Sequence, residues 1–376
     1  MQNFSTFSEA SCFSMTTSKS HDSSEIVLDV ALQGGGAHGA FTWGVLDALL
    51  EDERIEIGAL SGASAGAMNA IVAASGIATG GREGGRAALR RFWTSVNAAA
   101  REATPVFKLL ETFPDLFAAS AAWWQVVSGG QVTVSSRPWQ GRGAQMALRQ
   151  LIADQVDFEA LRRADAPRLF VSATNARSGG VRIFRNDEIS PDVAIASACL
   201  PMSFPPVTID GVDYWDGGYS SNPPVAALVR FTPQADLLLV TINPARRAFT
   251  ARSPEEITQR VSEMVFNQAL LTELRAIAII QDALVEHMKS HEGDSGSDLL
   301  SDLHELRFHE IHDEASLSEL DPHTKMYPTL DMLLELHETG RAAATGWLTD
   351  NFEHLGKRGT AKLKERYLSD MLQTGA

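Results

Sequence analysis

The residues best suited to chemistry are the five at Gly62-Ala63-Ser64-Ala65-Gly66. A serine flanked by small residues on a sharp strand-to-helix turn lifts its hydroxyl above a sheet, and glycine is needed where a side chain would collide with the turn. Such a hydroxyl is a candidate nucleophile, and the new helix points its positive end at whatever the serine attacks. A second candidate lies upstream in Gly34-Gly35-Gly36-Ala37-His38-Gly39. A glycine loop at a helix start offers bare backbone N–H groups, which bind a phosphate or the oxyanion of a tetrahedral intermediate. The same six residues satisfy G-x-G-x-x-G, so dinucleotide binding has to be weighed. That chemistry needs an acidic residue ending the next strand to hold a ribose. Here the strand ends Gly58-Ala59-Leu60-Ser61, and Glu56 comes too early.

The elements that must position these groups follow from periodicity. Ile26 to Gln33 alternates and then runs apolar, a first buried strand; Ala40 to Leu50 is helix-like; Ile55 begins the strand that enters the serine turn. After the serine helix, Ala65 to Ala74, the sequence predicts a glycine-rich break over Gly76 to Gly85 and a helix from Arg86 to about Ala100. Arg82, Arg86 and Arg90 would then share one basic stripe, either solvated or drawn to anionic headgroups. Residues 105–140 are crowded with large apolar side chains, among them Phe107, Trp123, Trp124 and Trp139, interrupted by proline and glycine. They read as an apolar cap or lid that could line an acyl-chain pocket, against the alternative of plain core packing.

Further along, helices are expected at Gln145 to Ala153, Phe158 to Arg163 and Asp192 to Cys199. Strands are expected at Arg168 to Asn175 and Val181 to Phe184, and as a pair around Asp210-Gly211. Asp216, followed by Gly217 and Gly218, has the form of an ordinary surface turn when taken alone. Asn222-Pro223-Pro224 opens another helix, and Asp236 to Asn243 is a strongly apolar strand. Pro254 to Met288 is a long helix, Glu292 to Asp298 an acidic linker without a calcium-loop pattern, Leu306 to Ile311 a final strand and Pro328 to Trp347 a helix. Gly356 to Leu372 is a basic amphipathic segment, read as a docked terminal helix or as a membrane-surface or partner helix.

Composition bounds the function classes. With 376 residues, 44% hydrophobic and 21% charged, the chain can bury a large core in one extended domain or two. A formal charge of −15 excludes nucleic acid as the main partner but leaves a membrane open, since that is met by a local face. Cys12 and Cys199 lie too far apart for a disulfide framework, which points to a reducing, cytoplasmic location with peripheral membrane contact as an option. No run approaches the roughly twenty apolar residues of a spanning helix. Residues 1–24 lack a continuous apolar core and read as a disordered tail.

Serine needs a partner to take its proton. Candidate histidines after Asp216 are His287, His291, His304, His309, His312, His323 and His337, but none sits in a constrained loop. The cluster between Glu286 and Asp313 reads as solvated surface with no metal-ligand spacing.

Taken together, the glycine loop after the first strand, the elbow after the second and Asp216-Gly217-Gly218 resemble the patatin-like phospholipases, a family of serine lipid acyl hydrolases. A fourth block, Ala196-Ser197-Ala198-Cys199-Leu200-Pro201 with Phe204-Pro205-Pro206, approximates a further family motif; the resemblance covers about Ile26 to Asn243. It implies a three-layer α/β/α domain with a largely parallel central sheet over residues 25–250, and a mainly helical C-terminal addition over residues 251–376. It implies a Ser64–Asp216 dyad without histidine, cofactor or metal. The oxyanion donors would come from Gly34, Gly35, Gly36 and Ala65, supported by His38, Gly39, Gly62, Gly66, Gly217 and Gly218. The substrate would be a phospholipid or lysophospholipid acyl ester, with oligomeric state left open. The family usually carries Arg or Lys where His38 stands, and usually alanine where Cys199 stands. Two alternatives remain at this level: an esterase or thioesterase for soluble acyl substrates, and a non-catalytic lipid-binding scaffold.

Overall fold

The apolar runs assemble into one sheet of eight strands in the computed structural model, which describes residues 25–103, 142–201, 203–232, 234–244, 250–290, 303–320, 322–325 and 329–368. The tail over residues 1–24, the apolar cap over residues 105–140 and the acidic linker at Glu292 to Asp298 lie outside the described residues. Five strands form the parallel centre, in the order β3 (Arg168–Asn175), β2 (Ile55–Gly62), β1 (Ile26–Leu32), β7 (Asp236–Val240) and β8 (Arg307–Ile311). Three short strands pair antiparallel at one side: β4 (Val181–Arg185), β5 (Val207–Ile209) and β6 (Val212–Asp216). The expected largely parallel sheet is therefore present, and the C-terminal region contributes a strand to it as well as helices.

Alternation along the strands builds two cores. Leu28, Val30 and Leu32 of β1, Leu60 of β2 and Leu238 and Val240 of β7 face one layer of helices. That layer holds α1 (Gly39–Glu51), α2 (Ala65–Ala103), α3 (Arg142–Gln155), α4 (Pro191–Ser197) and, from the C-terminal region, α8 (Leu330–Asn351). Ala31, Ala59, Leu237 and Leu239 face the other layer, where α5 (Val225–Phe231) and α6 (Pro254–Ser290) pack; a short α7 (Glu314–Glu319) follows β8. A strand covered on both faces is mainly apolar at successive positions, which is why Leu237 to Val240 of β7 reads as an unbroken run.

Helix α1 is buried almost all round because α8 covers the side that the sheet does not. Asp47, midway along it, is buried and held by Arg86 of α2 at 2.8 Å and by His337 and Arg341 of α8. Burial works against its charge, but the hydrogen bonds from His337, Arg86 and Arg341 outweigh it and hold the carboxyl well below the usual range. This clamp corrects the basic-stripe reading. Arg86 also reaches Glu51 and Glu83, and Arg82 bonds the carbonyls of Asp52 and Glu53 and the carboxylate of Glu25. Both cations are engaged within the fold, chiefly by partners remote in sequence: Asp47 and Glu51 for Arg86, and Glu25 for Arg82; Glu83 is a near partner.

The break expected over Gly76 to Gly85 is narrower than that. Only Gly80 and Gly81 leave helical geometry, Gly81 at φ 64°, and the chain folds there into a helical hairpin. Gly76 and Gly84 face one another across the hairpin with no room for a Cβ, so they serve helix–helix contact and do not end a helix. The basic amphipathic segment is docked in its described part. Leu363, Tyr367 and Leu368 are buried beneath α6, and the only helical piece there is a π-type turn at Lys364–Leu368.

Candidate active site

The elbow forms where β2 stops. Gly62 is the last strand residue, Ala65 the first of α2, and Ser64 between them adopts φ 54°, a left-handed conformation that costs a side-chain-bearing residue of order 1–3 kcal/mol. The strain is held by packing. A Cβ at Gly66 would run into the Leu32 carbonyl, and one at Gly62 would run into Gly66 itself. From the far side, the Ser64 N–H is shared between the backbone oxygen of Ser197 at 3.1 Å and its Oγ at 3.0 Å. The block around Ala196 to Pro201 thus buttresses the elbow.

Asp216 arrives through the sheet. β4 occupies one edge of β3 from Phe170 to Thr174, so β2, paired with residues 168–171, and β6, paired with residues 173–175, must share the opposite edge. The two strands meet head-on there, with Gly62 opposite Val171 and Asp216 opposite Ala173. This register brings a carboxylate from residue 216 to a serine at residue 64. The Asp216 N–H donates to the Cys199 oxygen at 2.8 Å, and its own oxygen accepts from Thr174 Oγ1 at 2.8 Å.

The Asp216 side chain is completely buried. Its Oδ1 caps the 3-10 turn Gly217–Tyr219 by accepting the Gly218 N–H at 2.8 Å. Oδ2 meets no hydrogen bond of ordinary geometry; the Ser64 side chain is the polar group that eases its charge. Burial dominates over the Gly218 and Ser64 contributions and pushes the carboxyl up to about 7. Phe266 of α6 packs on Gly218 and on the Tyr219 ring, 4.8 Å between centroids, so aromatic side chains flank the turn that Asp216 caps. Cys199 is a small buried thiol; it bonds the Pro205 oxygen at 2.8 Å, and burial, then the nearby Asp216 charge, raise it to about 12.

The glycine loop sits beside the elbow at the C-terminal end of β1. The N–H groups of Gly35, Gly36 and Ala65 donate to no described residue, but that of Gly34 is engaged by Asn222 Oδ1 at 2.7 Å. Gly34 therefore anchors the loop and has no free donor, which corrects its place among the oxyanion donors. His38 is buried and its Nε2 meets Thr324 Oγ1 at 2.8 Å; Gly39 packs against Ala65. The carboxamides of Asn222 and Asn243 grip the Gly34 peptide, and Gln33 ties the end of β1 to Ile242 and Asn243. None of these three amides carried a sequence signal, though Asn222 stands six residues past Asp216.

The candidate histidines divide. His309, expected on a solvated surface, is fully buried in β8 between Asp236 at 3.0 Å and Thr360 at 3.0 Å; alternation along a mixed-polarity strand hid this. His337 belongs to the Asp47 clamp, His312 meets Arg366, and His304 is exposed. The side chains of His287, His291 and His323 lie outside the described residues. Among the described residues no group of three or more His, Cys, Asp or Glu could hold a metal ion, and no helix is long and apolar enough to cross a membrane.

An elbow serine and a buried carboxylate at the end of a parallel sheet, beside a glycine loop with open N–H groups, define an acyl-hydrolase type of site. The model of the patatin-like phospholipases matches residues 30–229, and the chain belongs to that family of lipid acyl hydrolases. Among solved structures it is similar to VipD from Legionella pneumophila, at 15% identity and a TM-score of 0.40 over 92% of this chain and 73% of that one. No curated protein matches it.

Proposed function

We propose that this lipid acyl hydrolase cleaves phospholipid or lysophospholipid esters through a Ser64–Asp216 dyad and an acyl-enzyme. The observation that carries the reading is the buried Asp216 carboxyl, with Oδ2 left open toward Ser64 and a pKa raised to about 7. A carboxylate at its ordinary pKa is a poor base at neutral pH, whereas one near 7 matches the working pH.

Ser64 Oγ attacks the ester carbonyl as its proton passes to Asp216 Oδ2. The carbonyl oxygen becomes an oxyanion, which the N–H groups of Gly35, Gly36 and Ala65 receive, with the positive end of α2 behind Ala65. Each such donor is worth a few kcal/mol of barrier. Collapse breaks the bond to the leaving alcohol, which takes the proton from Asp216 and departs. Water then adds to the acyl-enzyme, gives its proton to Asp216, and the second collapse frees the fatty acid and returns the proton to Ser64.

The test is fatty-acid release from phosphatidylcholine and lysophosphatidylcholine vesicles by wild type, Ser64→Ala and Asp216→Asn. Release by wild type with loss of at least a thousandfold in both variants supports the dyad. Undiminished release by either variant overturns it, and turnover confined to short soluble esters overturns the lipid assignment.

A further inference from the structure

Residues well beyond the family match close over the glycine loop. The 3-10 turn Pro322–Lys325, from the segment between β8 and α8, lies against it at two points and reaches it through Asn243 at a third. The Lys325 carbonyl fills the space where a side chain at Gly36, φ 61°, would stand, and Thr324 Oγ1 meets His38 Nε2. Lys325 Nζ donates to Asn243 Oδ1 at 2.7 Å, and Asn243 Nδ2 donates to the Gly34 oxygen at 2.7 Å. The orientation of the Asn243 amide follows from the chemistry of its neighbours. An ammonium only donates and a carbonyl only accepts, so Oδ1 must face Lys325 and Nδ2 must face Gly34.

The Gly34 carbonyl and the Gly35 N–H belong to one planar peptide unit. A hydrogen bond accepted by the carbonyl fixes the plane and draws electron density from the nitrogen, so the N–H on its other side becomes a stronger donor. A positive charge at the far end of the Asn243 amide strengthens the polarisation again. We infer that Lys325 is a positioning residue for ester hydrolysis, its ammonium acting through Asn243 on the Gly34–Gly35 peptide to orient and strengthen the Gly35 oxyanion donor. The C-terminal region then completes the active site. The inference rests on the Ser64 reading with Gly35 as a donor.

A direct donor is worth a hundredfold or more in rate, so support relayed through one amide should be worth on the order of tenfold. The experiment measures kcat and KM on a short p-nitrophenyl ester for wild type, Ser64→Ala, Lys325→Met, Lys325→Arg, Asn243→Leu and the Met/Leu double variant, with urea midpoints as the check on folding. Expected are a kcat about tenfold lower in Lys325→Met with KM within twofold, at least a third of kcat kept by Lys325→Arg, and no further loss in the double variant beyond Asn243→Leu alone. Should Lys325→Met fail to fold, Lys325→Gln, which keeps a donor without charge, is read in the same way. A kcat within twofold of wild type, a loss confined to KM, or equal losses in the Met and Arg variants would overturn the inference while Ser64→Ala stays inactive and the hydrolase reading stands. Turnover that persists in Ser64→Ala removes both.

Discussion

Asp216→Asn should abolish hydrolysis and yet stabilise the fold, by an amount that depends on pH in a defined way. Burial raises the Asp216 pKa from 3.8 to about 7, so between these values the folded protein holds a proton that the unfolded chain has released. The contribution of this group to stability is therefore whole below pH 4 and is lost as pH rises to about 7, above which the cost is constant. Between pH 5 and pH 8 that cost grows by about two pKa units, or about 3 kcal/mol. Asparagine escapes it, keeping an oxygen for the Gly218 N–H and carrying no charge. The variant has its own cost, an amide facing Ser64 in a buried site, but that cost does not change with pH and cancels when two pH values are compared. Urea unfolding of both proteins at pH 5 and pH 8 is the assay, with the quantity read being the change in their stability difference. A gain of about 3 kcal/mol by Asp216→Asn on going from pH 5 to pH 8 is expected. A difference that stays constant within 1 kcal/mol would refute the claim that burial holds this carboxyl near neutrality.

Other expectations follow from the same geometry. The kcat/KM of wild type should rise about tenfold per pH unit below about 7 and level off above it, because Asp216 must be ionised to accept the proton; a flat profile from pH 5 to 8 contradicts this. Asp29, whose carboxylate oxygens are buried without ordinary hydrogen bonds, is raised by burial to about 6, so Asp29→Asn should give a smaller pH-dependent gain in stability, seen in the same urea series and without loss of activity. Gly66→Ala should destabilise by more than about 3 kcal/mol, or leave no folded protein by circular dichroism, since its methyl group meets the Leu32 carbonyl. Arg341→Met should cost about 2–4 kcal/mol in urea unfolding at pH 7 by weakening the clamp on buried Asp47, with little change in kcat.

What the sequence revealed and what it hid divide along physical lines. The elbow was legible because Gly62 answers to Gly66 four residues on, although Gly66 itself answers to Leu32 on the neighbouring strand. Asp216 was legible only through resemblance: an Asp-Gly-Gly turn looks superficial until the register of β6 along β3 buries it. Local helix propensity says nothing of a partner helix, which hides the role of Gly76 and Gly84, and the ion pairs of Arg82 with Glu25 and of Arg86 with Asp47 reach outside their own helix. Asn222, Asn243 and Lys325 act on a loop about 190 to 290 residues away in sequence, through contacts that leave no periodic trace.

Whether Ser64 is a nucleophile activated by Asp216 is decided by a fluorophosphonate probe read by intact mass and peptide mapping at pH 8. Expected are one adduct on wild type, mapped to Ser64, none on Ser64→Ala, and labelling at least a hundredfold slower on Asp216→Asn. An adduct mapped to another residue, or Asp216→Asn labelled at the wild-type rate, would contradict that role.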